Sequence, residues 1–144
     1  MHVRAYRETD EDAVVELWRE CGLLRPWNDP HLDIARKLTE QPDLFLVAVD
    51  GETLVGTAMA GFDGHRGWIN YLAVALSHRR QSIGRMLMST AEALLIERGC
   101  PKLNLQIRST NKDVIEFYRK LGYQQDEVIS MGRRLIVDNG SNNA

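Results

Sequence analysis

The stretch that most constrains the fold runs from Leu72 to Leu87 and reads Leu-Ala-Val-Ala-Leu-Ser-His-Arg-Arg-Gln-Ser-Ile-Gly-Arg-Met-Leu. An apolar, strand-like run ends, a short basic turn follows, and an amphipathic helix starts near Ser82. The first turn of such a helix leaves backbone N–H groups without intrahelical partners. Aligned peptide dipoles add partial positive charge at the same end. Arg79, Arg80 and Arg85 crowd that end, where cations are disfavoured unless an anion joins them. Gly84 lies inside the first helical turn, where glycine costs roughly 1 kcal/mol against alanine. Close approach of a ligand to the backbone is the reading that explains it. Together these features predict a phosphate site, best suited to a diphosphate.

A chain of 144 residues, 44% hydrophobic and 26% charged, is long enough to bury one core and has the composition of a globular domain. Its formal net charge of −2 gives no global attraction to nucleic acid or to an anionic membrane, so neither is expected as a partner. The N-terminus has no apolar targeting segment and no run is long enough to span a bilayer. Cys21 and Cys100 are too few and too far apart for a disulfide framework or a zinc site. They read as buried thiols of a cytoplasmic protein with no metal.

Residues 2–6 read as a first strand. Thr9 offers an N-cap to a helix whose Val14, Leu17, Trp18 and Cys21 share a face, and Gly22 ends it. A second helix is expected over 31–40. The apolar run 44–49, the Asp50-Gly51-Glu52 turn and the run 54–60 form a hairpin, and residues 68–75 add a third antiparallel strand. A helix over 82–98 buries Ile83, Leu87, Ala91, Leu94 and Leu95. Residues 102–108 alternate as a strand, a short helix carries Val114, Phe117, Tyr118 and Leu121, and one or two closing strands are expected in 123–136. The order β-α-α-β-β-β-α-β-α-β-β predicts an α/β domain over residues 1–137, one mixed sheet with helices on its faces. Residues 138–144 read as a disordered polar tail, within which Asn139-Gly140-Ser141 matches a glycosylation sequon expected to go unused.

A dinucleotide fingerprint needs Gly-x-Gly-x-x-Gly, of which only Gly84 is present, and a P-loop needs Gly-Lys-Ser/Thr, which is absent. The segment Arg79-Arg80-Gln81-Ser82-Ile83-Gly84 instead resembles the Arg/Gln-x-x-Gly-x-Gly/Ala block of the GNAT superfamily of acetyl-CoA-dependent N-acetyltransferases. Leu72-Ala73-Val74 before it and Asn111-(five residues)-Phe117-Tyr118-x-x-Leu121-Gly122-Tyr123 after it match the same family at its usual separation. The resemblance covers nearly the whole chain and implies the GNAT-like acyl-CoA N-acyltransferase fold. Ser82 departs from the usual first glycine, a change that should be tolerated if its φ is negative.

The resemblance implies roles. Backbone amides of Arg80, Gln81, Ser82, Ile83, Gly84 and Arg85, with the Arg79 and Arg80 side chains nearby, would hold the pyrophosphate of acetyl-CoA. Leu72, Ala73 and Val74 would pair with the pantetheine amides as an added strand does. A bulge in that strand would aim the Leu72 N–H at the thioester carbonyl as an oxyanion donor. Asn111 would contact the pantetheine arm, and Tyr118 would protonate the leaving thiolate. Read from its residues alone, Tyr118 is a core aromatic of an amphipathic helix.

The general base is not legible. Carboxylates that the family often carries correspond to Asn70 and Gln106, neither of which accepts a proton. His65, Asp63, His78 and Tyr71, or a water held by Asn70 or Tyr71, are the alternatives, with Trp27 a further acceptor-side candidate. The expected reaction is direct transfer of acetyl to a primary amine in a ternary complex, at a protein or peptide N-terminus of the ribosomal-protein alanine type. A small-molecule amine acetyltransferase and a catalytically weak acyl-CoA-binding sensor are the other readings. A monomer and a homodimer are both open.

Overall fold

Apolar residues at both odd and even positions of the run 44–49 require a strand covered on both faces, and this is what forms. A computed structural model describes residues 1–139. Its strands are β1 (His2–Ala5), β2 (Phe45–Asp50), β3 (Thr53–Phe62), β4 (Gly67–Val74) and β5 (Leu103–Leu105). Its helices are α1 (Glu11–Glu20), α2 (Pro30–Lys37), α3 (Ile83–Glu97) and α4 (Lys112–Lys120). The strands make one sheet in the order β1-β2-β3-β4-β5, antiparallel except for β5, which runs parallel to β4. Leu44, Leu46 and Ala48 face α3, which brings Ile83, Leu87, Met88, Ala91 and Leu95. Phe45, Val47 and Val49 face α1 and α2, which bring Val14, Leu17, Trp18 and Ile34. No helix among the described residues is long and apolar enough to cross a membrane.

Two helix starts differ in detail from expectation. Thr9 does not cap α1. A 3-10 turn over Glu8–Asp10 precedes it, and Asp10 accepts from the Arg7 N–H at 2.8 Å and from Arg4 at 2.8 and 3.0 Å. The charge-assisted pair with Arg4 ties the turn to β1, a contact that spacing alone does not signal. In α2, Asp29 caps the helix by accepting from His31 N–H at 2.8 Å, with Pro30 at the first helical position. The cap fixes the start, and α2 ends at Lys37, short of the expected 40.

The closing strands do not form: among the described residues, 123–139 contain no strand. Their apolar residues come as adjacent pairs, Val128-Ile129 and Leu135-Ile136, which cannot both face one side of a sheet, and these four stay exposed. Side chains fasten the segment instead. Lys102 pairs with Asp126 at 2.9 Å, Gln106 hydrogen-bonds Ser130, and Arg134 donates to Asn28 Oδ1 at 2.9 Å. Of the expected tail, Asp138 pairs with Arg36 at 2.8 Å and Asn139 donates to the Pro26 carbonyl at 2.7 Å. Residues 140–144, including part of the sequon, lie outside the described residues.

Two glycines set how closely the helices approach. A Cβ on Gly56 of β3 would meet Leu87 at 3.0 Å and Ile83 at 3.1 Å, so α3 lies directly on the strand. A Cβ on Gly84 would meet the Phe117 ring at 3.0 and 3.3 Å, so the space beside Gly84 is filled by α4. Helix packing is thus a second reason for glycine at position 84, beside the close approach of a ligand expected from the sequence. Gly84→Val is expected to destabilise the fold by roughly 1–3 kcal/mol through overpacking. Denaturant unfolding of Gly84→Val, Phe117→Ala and the double variant checks this. Additive losses would show that the two positions do not touch.

Candidate active site

The site is built by two interruptions of β4. Its pairing with β5 covers only Gly67↔Leu103, Trp68↔Asn104 and Ile69↔Leu105. From Asn70 to Val74 the edge turned toward β5 has no strand partner among the described residues, because β5 and its pairing end at Leu105. On the other side the register with β3 slips. Thr57 pairs with Ala73 and Met59 with Asn70, leaving Tyr71 and Leu72 opposite Ala58 alone. That is a β-bulge. Ile69 and Leu72 consequently both pack on the α3 side, where an unbroken strand would place them on opposite faces. Tyr71 takes a φ of +53°, a left-handed conformation that costs a non-glycine residue about 1–2 kcal/mol.

Just past β4 the basic turn leads into α3. Arg80 has φ +66° and Ser82 has φ +63°. The condition of a negative φ at Ser82 is therefore not met; the turn places it in the region that the usual glycine would occupy at no steric cost. The first helical amide bonded back to the turn is Met86 N–H, to Ser82 O at 3.0 Å. Ile83, Gly84 and Arg85 thus form the first turn with their N–H groups left over. Ile83 and Gly84 are buried, while Gln81, Ser82 and the side chains of Arg80 and Arg85 are exposed. Arg79 does not extend over the helix end. Its Nε donates to the Val74 carbonyl at 3.4 Å, and its guanidinium lies 4.0 Å from Cys21 Sγ.

On the α3 side, Tyr118 is 5% exposed and meets Phe117 and Tyr123 edge-on at 5.0 and 5.6 Å between ring centres. Burial pushes its phenol above the ordinary value, so the hydroxyl keeps its proton at neutral pH. Among the described residues it has no hydrogen-bond partner. Asn111 caps α4, its Oδ1 accepting from Val114 N–H at 3.4 Å.

On the α1–α2 side, Tyr71 lies flat on Trp18, with ring centres 3.8 Å apart. Its hydroxyl donates to Asp33 Oδ2 at 2.6 Å. Burial, then this carboxylate, raises the Tyr71 pKa, and it too stays protonated. Asp33 Oδ1 accepts from Arg36 at 2.7 Å, and Arg36 also holds Asp138. Trp27 sits under the Arg134 guanidinium at 5.9 Å, and Trp27, Asp33, Arg36, Arg134 and Asp138 line one cleft. Asn70 is exposed beside the bulge, and Gln106 bonds Ser130 just past β5. His65 is not brought to the site. It lies exposed in the β3–β4 turn, six residues before Tyr71, about 20 Å along the strand at its usual rise. Asp33, Arg36, Thr57 and Asp138 were not legible as site residues. Asp33 reads in sequence as a first-turn helix acid, and nothing local signals a tyrosine 38 positions away.

This geometry has counterparts. Residues 10–123 match the model of the acetyltransferase (GNAT) family. An acetyltransferase of Pectobacterium atrosepticum is 51% identical over 139 residues, covering 96% of this chain and 98% of that protein. Among solved structures, the ribosomal-protein-S18-alanine N-acetyltransferase from Escherichia coli superposes with a TM-score of 0.73 at 19% identity, over 87% of this chain and 78% of that one. AAC(6')-Iy in complex with a bisubstrate analogue, CoA-S-monomethyl-acetylneamine, gives 0.78 at 14%, over 92% and 97%. The chain belongs to the acetyltransferase (GNAT) family. It is an N-acetyltransferase, and its family draws the acetyl group from acetyl-CoA.

Two outcomes follow from the geometry. Ser82→Gly is expected to raise stability by up to about 1 kcal/mol, because it relieves the left-handed φ; the gain is reduced by the greater freedom of glycine in the unfolded chain. Chemical denaturation measures it, and a loss of stability would mean that the Ser82 side chain holds the turn. Hydrogen bonding by Arg36 lowers the Asp138 carboxyl to about 2. A folded value below the ordinary one gives stabilisation that is complete above the unfolded pKa and lost as the pH falls toward 2. Asp138→Asn should therefore melt below the wild type at pH 7, with the gap closing between about pH 4 and 2.

Proposed function

We propose that this enzyme transfers acetyl from acetyl-CoA to the α-amino group of a protein or peptide N-terminus, directly and in a ternary complex. The observation that carries the first half is the free edge of β4 from Asn70 to Val74, which runs into the N-terminus of α3. Pantetheine amides would pair with Leu72, Ala73 and Val74 along that edge. The pyrophosphate would meet the amides of residues 80–85, and Arg80 and Arg85 would add charge. The bulge would aim the Leu72 N–H at the thioester carbonyl as oxyanion donor, so that negative charge developing on the thioester oxygen is met by a fixed dipole. Asn111 contributes toward the pantetheine arm. Tyr118 would donate its proton to the departing thiolate, since a phenol is protonated at neutral pH. Cys21 and Cys100 are free thiols suited to a reducing, cytoplasmic location.

The choice of acceptor rests on proton accounting. Asn70 and Gln106 supply no base beside the bulge, and Asp33 is already bonded to Tyr71 and Arg36. An amine must then arrive neutral. At pH 7 a lysine side chain with a pKa near 10.4 is only about 0.04% neutral, whereas an α-amine near 7.7–8.0 is roughly 10–15% neutral. That gap of a few hundred-fold favours N-termini.

Two matched peptides test the proposal, one with a free N-terminal alanine and one blocked there but carrying a lysine. The free N-terminus should be acetylated at least tenfold faster at pH 7. The rate should rise with pH toward the acceptor's own pKa. Faster acetylation of the lysine peptide overturns the reading, and turnover of small amines alone would assign the enzyme to small-molecule acetylation. Tyr118→Phe should lower kcat by about 10²–10⁴ with little change in KM for acetyl-CoA, the usual range for a general acid.

A further inference from the structure

Thr57 is 0% exposed between the apolar residues Val55 and Met59 of β3, and the Trp18 beside it is also 0% exposed. Trp18 Nε1 donates to Thr57 Oγ1 at 2.9 Å, and Thr57 Oγ1 donates in turn to the Tyr71 carbonyl at 2.8 Å. The hydroxyl thereby joins helix α1 to the backbone of the bulge. Trp18 also stacks on the Tyr71 ring, at 12° between planes, and the ring's hydroxyl is tied to Asp33 of α2. Tyr71 is thus gripped at its carbonyl, its ring and its hydroxyl, and it is the residue with the positive φ. A side chain in a sparsely populated backbone conformation persists only where its surroundings over-determine it.

We propose that Thr57 and Asp33 are positioning residues of the acetyl transfer: acting through Tyr71, they clamp the β4 bulge and so fix the direction of the Leu72 N–H. This rests on the reading of that amide as the oxyanion donor. An oxyanion donor is effective only when it is aimed before charge develops. A left-handed residue adjoining the donor would relax if released, and the donor would turn with it. The chemistry of each clamp residue fits the task. Threonine offers one proton and an acceptor, enough to take the indole N–H and bond the carbonyl at once. Valine has the shape and neither function. Asp33 needs only an acceptor oxygen for Tyr71, so a general base and a positioning role separate on substitution by asparagine.

The test follows thiol release from acetyl-CoA, with the N-terminal alanine peptide and with water as acceptors, alongside hydrogen exchange of the Leu72 amide. Tyr71→Phe, Asp33→Ala and Thr57→Val should each lower kcat about tenfold or more, with KM for acetyl-CoA within about twofold, and each should speed Leu72 exchange. Asp33→Asn should retain kcat within about threefold, since its amide oxygen still accepts from Tyr71; a loss as deep as in Asp33→Ala would mark Asp33 as a base and overturn the positioning role. Thr57→Ser keeps the hydroxyl and should behave as wild type, which guards against misfolding of the valine variant. Unchanged Leu72 exchange in folded Tyr71→Phe and Asp33→Ala proteins overturns the clamp. Faster exchange with unchanged kcat overturns instead the oxyanion reading on which the clamp's catalytic role depends.

Discussion

The parting of β4 from β5 after Ile69 and Leu105 is the constraint on which the rest of this structure depends. A strand edge left without a partner inside a fold normally has to be satisfied or covered. Here the sheet is split only over the stretch that ends at the N-terminus of α3. The core pays no penalty, because the bulge moves Leu72 to the α3 side and Ala73 to the α1–α2 side, and both still pack. Gly56 lets α3 lie directly on β3, which brings the helix end to the mouth of the split. Gly84 then lets Phe117 of α4 close against α3 from behind. The edge, the bulge and the helix end are therefore one object rather than three.

The parts of this object differ in how far the sequence reveals them. The apolar run, the basic turn and the helix of 72–98 are local patterns, and they appear where periodicity places them. The motif spacing exposes the family because it too is carried by residues close together in sequence. Contacts between residues distant in sequence stay hidden. Thr57 reads as one more β-branched strand residue until Trp18 is seen against it, and Asp33 reads as a helix acid until Tyr71 reaches it. Gly84 was legible as a constraint, but its packing against Phe117 was not, since only the fold shows which atoms crowd it. The last segment failed for a different reason. Its apolar residues satisfy strand propensity, but strand formation depends on alternation and a partner edge, and Gly132, Arg133 and Arg134 break the pattern. Charged contacts to α2 and to the α1–α2 connection then determine its path.

Charge is distributed unevenly along the split. At the α3 end, Arg80 and Arg85 stand with unpartnered amides and the positive end of the helix dipole. At the other end, one guanidinium, Arg36, is shared between two carboxylates, Asp33 and Asp138, leaving that trio with a formal charge of −1. Arg133 and Arg134 line the same cleft and offset that charge, so the carboxylates there are held among cations. The arrangement also keeps the functions from interfering. Burial and the bond to Asp33 raise the Tyr71 pKa, which leaves the phenol a donor. A hydroxyl that always donates, on a ring that cannot slide, is better suited to holding a backbone than to moving protons. In the proposed transfer the acceptor's proton leaves through solvent, and that favours amines which lose it readily.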